Sequence, residues 1–163
     1  MVFKIIVSKV KKIDHGWDRI ESQLKLLKDA YIKVGVLSNA GSYEKSGKAN
    51  LADVATWNEY GTSRIPPRPF MRQTAAENRE KVKDSFKKAV LNIELKKKSA
   101  SGELNYIGVL YKGEIQKTIA QGNFQANAES TIRIKSVKRK KITPLIDTGR
   151  LRQSISYETV MKK

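Results

Sequence analysis

The sequence predicts a single domain of mixed α and β class, rich in helix and with a few short strands. Three observations predict it. Apolar residues recur at helical spacing over several stretches. Runs rich in β-branched residues alternate with polar ones at residues 2–10, 31–37 and 153–161. The length, 163 residues, is that of one domain, which at this size buries about two thirds of its unfolded surface.

Composition narrows the chemistry. Cysteine is absent, so there is no disulfide and no thiolate metal site, a pattern that suits a reducing cytoplasm. His15 is the single histidine, which removes multi-histidine metal sites and most imidazole-base catalysis by count. It reads as a surface turn residue ahead of Gly16. With 33 Lys+Arg against 16 Asp+Glu, the formal net charge is +17. That excess points to a polyanion or an acidic protein nearby, or to a solvated surface that keeps the chain soluble. No run approaches the roughly 18 apolar residues of a membrane span. The N-terminal run is interrupted by Lys4 and lacks a small-residue cleavage site, so no secretion signal is read. Neither a cofactor nor a membrane is expected as a partner.

In chain order, residues 2–10 (VFKIIVSKV) read as an edge or half-buried strand. Asp14 is placed to cap a helix on which Trp17, Ile20, Leu24 and Leu27 share a face, with Glu21 and Lys25 paired opposite, ending near Asp29. Residues 31–37 (YIKVGVL) form the clearest strand: Ile32, Val34 and Val36 on one side, Tyr31, Lys33, Gly35 and Leu37 on the other. Gly35 removes a side chain where a helix could approach closely. Residues 38–50 are polar, glycine-spaced and without periodicity, a loop.

Asn50 is placed to cap the next helix, with Asp53 in its first turn; Leu51, Val54 and Trp57, with Ala55, are expected on its inner face, and Gly61 as its left-handed stop. Then comes a proline-stiffened elbow. Pro66, Pro67 and Pro69 fix the backbone, Arg64 and Arg68 are carried on it, and Phe70 anchors it to the core. Such a segment is either a stiff surface connection or a rigid loop that presents itself to a partner. A helix over residues 71–97 follows, with Met71, Ala75, Val82, Phe86, Ala89, Val90 and Ile93 inward. After a break at residues 99–102, where Ser101 is placed as a cap, Leu104, Ile107, Tyr111, Ile115 and Ile119 continue a helical face to about Ala120. The two could equally be one helix with a kink; Gly108 and Gly113 weaken the second.

Residues 122–143 begin polar and end intensely basic, at Arg133, Lys135, Lys138, Arg139, Lys140 and Lys141. They read as an extended arm or loop, facing phosphate or a protein partner, or simply solvated. No interleaved aromatics mark it for base stacking. Beyond it, Asp147, Thr148 and Gly149 form a turn with helix-start character, Leu151 and Ile155 point inward, and Arg150 is expected in an ion pair. An Asp-Thr-Gly triplet occurs in aspartic proteases, but those need two carboxylates sharing a proton on matching loops, and the chain has one such triplet.

Two motifs in fixed order now stand out: WNEYGTSRIPPRPFMR, then FQANAESTIRIK with PLIDTGRLRQSISYE. Together they resemble the tail-completion or neck proteins of long-tailed bacteriophages, also described as head–tail joining, minor tail or virion morphogenesis proteins. The first pattern falls on Trp57, Glu59, Tyr60, Gly61, Ile65, Pro66, Arg68, Pro69 and Phe70. The second falls on Asn127, Ala128, Thr131 and Ile132, then Pro144, Leu145, Ile146, Asp147, Thr148, Gly149, Leu151, Ser154 and Ile155. The resemblance runs from about Ile32 to the C-terminus; Lys138–Lys141 and the long polar loop depart from it. It implies an α+β fold, a small, mostly antiparallel sheet packed against two or three helices with a long basic loop or arm. It implies a homo-oligomeric ring, hexameric in the virion, between portal and tail tube, contacting other neck and tail-tube proteins, with DNA close by and no catalysis. The partner-binding residues expected on this reading are Arg64, Pro66, Pro67, Arg68, Phe70, Arg133, Lys138, Arg139, Lys140, Lys141, Asp147 and Arg150. The alternative is a sequence-independent nucleic-acid-binding protein.

Overall fold

The computed structural model describes residues 16–37, 40–41 and 50–161. The strand expected at residues 2–10, Asp14, His15 and most of the loop at residues 38–50 lie outside the described residues. Within them the fold is α+β, a two-stranded antiparallel sheet packed against helices. In order, the elements are α1 (Trp17–Lys28), β1 (Tyr31–Val36), α2 (Leu51–Tyr60), α3 (Phe70–Glu77), α4 (Arg79–Lys96), α5 (Ala100–Gln121), α6 (Glu129–Val137), α7 (Arg150–Ser154) and β2 (Ile155–Val160).

α5 is the spine. Leu104, Ile107, Ile115 and Ile119 are buried along it, at the spacing the sequence predicts. The sheet lies across its length, with Tyr31 opposite Val160 and Val36 opposite Ile155. Side chains alternate across a strand, so Ile32, Val34 and Val36 turn to α5 together with Thr159, Tyr157 and Ile155. The Thr159 hydroxyl donates to Asn105 Oδ1 at 2.8 Å on this side. On the other side, Lys33 and Glu158 pair at 3.3 Å in solvent. Gly108 is what lets sheet and helix meet: a Cβ there would lie 2.4 Å from the Tyr157 ring. Gly35 serves as expected, for the Met71 side chain of α3 lies 3.0 Å from where its Cβ would be. One core cluster joins Ala55, Phe70, Ile115, Ile119, Leu151 and Ile155. A buried hydroxyl pair, Thr74 to Thr118 at 2.8 Å, locks α3 to α5.

Several local expectations are corrected. α1 starts at Gly16, which has left-handed geometry and no side-chain cap. The Glu21–Lys25 pair forms at 2.8 Å, but Trp17 is exposed. In α2 the buried positions are Leu51, Ala55 and Glu59, while Trp57 faces outward. Asn50 does cap it, accepting from the Ala52 amide at 3.2 Å.

The helix read over residues 71–97 is two helices, broken at Asn78 (φ −109, ψ 12). The Asn78 side chain and amide both donate to the Thr74 carbonyl at 3.0 Å. Asparagine competes in this way with helix continuation. In α4 Ala89 and Ile93 are buried while Phe86 is exposed, and in α3 Ala75 is exposed, against the inward face expected. α4 and α5 are separate helices, and Ser99 caps the second in place of Ser101, accepting from Gly102 at 3.1 Å. The basic segment read as an extended arm contains α6. At α7 neither Asp147 nor Thr148 caps; Gly149, in left-handed geometry, holds that position.

Candidate functional site

The two motifs that are far apart in sequence meet in space. α2 ends at Gly61 with φ 80 and ψ 173, positive in φ as expected but with ψ outside the left-handed helical range. A Cβ there would stand 3.0 Å from both the Ile65 carbonyl and the Pro67 nitrogen, so the chain folds back over a bare backbone. The Thr62 hydroxyl accepts from the amides of Arg64 at 3.2 Å and Ile65 at 3.0 Å, closing the elbow on itself. The Arg68 amide donates to the Asn58 carbonyl at 2.6 Å, returning the elbow to α2.

Arg68 does not face solvent. It is 6% exposed. Its Nε donates to the Gln125 carbonyl at 2.9 Å, and an Nη donates to the Ala126 carbonyl at 3.2 Å and Asn127 Oδ1 at 3.4 Å. The planar guanidinium suits such a fork, since it offers several donors in fixed geometry and is weakly hydrated. Burial lowers its pKa. Asn127 in turn donates to the Ile142 carbonyl at 2.8 Å. One arginine thereby fixes the elbow to the segment that leads into α6.

A second cation holds the far side of α6. Lys135, 8% exposed, donates to the Ile146 carbonyl at 2.6 Å and the Thr143 carbonyl at 3.4 Å. Burial holds its ammonium below the ordinary lysine value of 10.5; Asp147 pulls it upward, and Lys140 and Arg68 add to the lowering. Asp147 itself is bound to Lys140 at 2.8 Å.

The product is an open groove of about 620 Å³ between two walls. One wall is the elbow, with Arg64, Ile65 and Pro66; the other is the strip from Gln125 to Glu129. Arg64 and Pro67 are exposed and Pro66 is half-buried. Beside the groove, α6 and its tail present Arg133, Lys138, Arg139 and Lys141 outward, interleaved with Ile134, Val137 and Ile142, each more than half exposed.

The structure thus divides the expected partner-binding residues. Arg64, Pro67, Arg133, Lys138, Arg139 and Lys141 are exposed and Pro66 is half-buried. Arg68 and Phe70 are interior: Phe70 is fully buried in the core cluster, as its anchoring role requires. Lys140 and Asp147 are exposed but engaged with each other, and Arg150 is half-buried at the start of α7.

From the sequence, Glu59 and Asn127 stand only as members of the two resemblance patterns and Lys135 only as part of the basic arm; their buried, structure-holding roles are not foreseen there. Glu59, buried at 5% exposure, accepts from the Met71 amide at 2.9 Å and the Arg72 amide at 3.0 Å, and so caps α3 from another helix. Its carboxylate faces the positive end of the α3 dipole. Its spacing carried a signal: Leu51, Ala55 and Glu59 recur every fourth residue, which sets the carboxylate on the buried face. Among the described residues, no helix is long and apolar enough to cross a membrane. Comparison with protein-family models, with curated proteins and with solved structures gives no match.

Proposed function

We infer that this chain is a structural virion protein, a neck or tail-completion subunit that forms a ring at the head–tail junction of a tailed phage or prophage and carries out no bond-making chemistry. The observation that carries the reading is the Arg68 fork. It ties together the two motifs on which the family resemblance rests, and it holds a groove rigid beside an accessible cationic and apolar strip. Rigid, preformed surfaces lose little ordering entropy on association. Mixed apolar and cationic exposure on α6 suits a protein partner with an acidic rim. Head-to-tail contact between unlike faces of successive copies closes into a ring when the rotation between them divides the circle.

The second reading, sequence-independent nucleic-acid binding, rests on the exposed Arg133, Lys138, Arg139 and Lys141. One experiment separates them. The purified chain is concentrated and followed by light scattering and native mass spectrometry, then titrated with random duplex DNA at increasing salt. Closed oligomers with weak DNA affinity are expected, and Arg64→Glu should abolish the oligomers while leaving the fold intact. A monomer that binds duplex tightly, losing about tenfold or more in affinity per few-fold rise in salt, would overturn the neck assignment.

A further inference from the structure

β1 is hydrogen-bonded along one edge only, to β2, within the described sheet. Along the side of β1 away from β2 runs an apolar groove of about 550 Å³. Ile32 and Val34 of β1, Val82 and Phe86 of α4, and Ile107 and Tyr111 of α5 line it, and no β2 residue does. Tyr31 and Phe86, at its rim, are 45% and 42% exposed. An unpaired strand edge above an apolar floor is a template for another strand.

We propose that this groove is the seat of the chain's own N-terminal segment, residues 2–10, which adds a third strand to the edge of β1 that is unpaired among the described residues. The segment carries the matching pattern. Phe3, Ile5 and Val7 fall on one side of an extended chain as far as Lys9, while Lys4 and Ser8 share the other side with Val2, Ile6 and Val10, so the odd-numbered side is apolar over residues 3–7. Its reach is sufficient. Residues 11–15 span up to about 17 Å when extended, close to the roughly 18 Å length of α1. α1 leads through Ala30, itself on the groove wall, into β1. A tether this short sets an effective concentration in the mM range, which favours the segment of the same chain over that of a second copy.

The chain has no cysteine, so engineered pairs report cleanly. In the full-length protein, Phe86→Cys is combined in turn with Phe3→Cys, Ile5→Cys, Val7→Cys and, as the opposite parity, Lys4→Cys and Ser8→Cys. A disulfide needs Cα atoms within about 7 Å. At least one odd-numbered partner should give an intramolecular disulfide, seen as a faster monomer band lost on reduction, and the even-numbered partners should not. Phe86 is part-exposed, so its replacement leaves the fold standing, which circular dichroism checks. In the unmodified chain, the amides of residues 3–9 should exchange more than about tenfold slower than in an unstructured peptide. Absence of cross-links at all three odd positions, equal cross-linking at both parities, or disulfide-linked dimers in place of monomers would each overturn the proposal; the last would assign the groove to a second copy.

Discussion

Glu59 and Arg72 are joined at both ends of their residues: the carboxylate accepts from the Arg72 amide and Nε, each at 3.0 Å, and the Glu59 carbonyl accepts from an Arg72 Nη at 2.7 Å. The guanidinium also lies over the Tyr60 ring, 4.9 Å from its centre. The arrangement makes the segment from α2 to α3 one closed loop, with the elbow as its arc.

The two partners contribute unequally. Glu59 is buried, and removing it strands the helix amides of Met71 and Arg72; Glu59→Ala should cost about 2–4 kcal/mol. The Arg72 side chain is 58% exposed, so Arg72→Ala should cost about 1 kcal/mol or less. Urea denaturation of both variants measures the difference, and equal losses would contradict the capping role.

The two arginines of the elbow should behave oppositely. Arg68→Ala removes three hydrogen bonds made by a buried guanidinium and should lose about 2–4 kcal/mol, with faster hydrogen exchange through residues 125–129. Arg64→Ala should change stability by no more than about 0.5 kcal/mol, as solvent-facing substitutions do. Denaturation midpoints and exchange mapping test both.

Gly108→Ala in an ordinary helix interior would gain about 1 kcal/mol from propensity. Here the new Cβ would lie 2.4 Å from Tyr157 Cδ2 and 2.9 Å from its Cγ, so the clash lies near the root of the ring and small movements do not relieve it. Overpacking of this kind costs about 1–3 kcal/mol, and a net loss is expected. Tyr157→Leu should restore part of that loss, read as a positive coupling in a double-mutant cycle.

Burial lowers the Lys135 pKa in the folded chain below its unfolded value. Between the two values the unfolded chain binds more protons, so Lys135 makes stability rise with pH through the window that ends at about 10.5. Other groups titrate there too, so the quantity to measure is the difference in slope between the native chain and Lys135→Met. The native slope should be the more positive. The variant should also lose about 1–3 kcal/mol at neutral pH through the unpaired carbonyls of Thr143 and Ile146.

What was legible in the sequence was periodicity and local stereochemistry. The α5 face, the β1 alternation, the Asn50 cap, the anchoring Phe70 and the inward Leu151 and Ile155 all follow from spacing or from one residue's conformational preference. What was not legible depended on partners distant in the chain. Arg68 reads as a surface cation because its acceptors are backbone carbonyls, which every residue has. Lys135 sits in a run of basic residues that differ only in what lies above them. The basic segment reads as extended because α6 has little apolar periodicity of its own and is held by those two cations. The break at Asn78 has a local cause, but asparagine occurs inside many helices, and its effect shows only where the Thr74 carbonyl is captured.

The order of synthesis gives the Arg68 fork one more meaning. A ribosome that has made the elbow has not yet made its acceptors, which follow 57, 58 and 59 positions later. Until they emerge, the guanidinium stays hydrated and the stiff proline bend has no facing wall. A nascent fragment that stops short of Gln125 therefore contains one wall of the cleft and lacks the wall that faces it, and the later half of the chain completes a shape that the earlier half only begins.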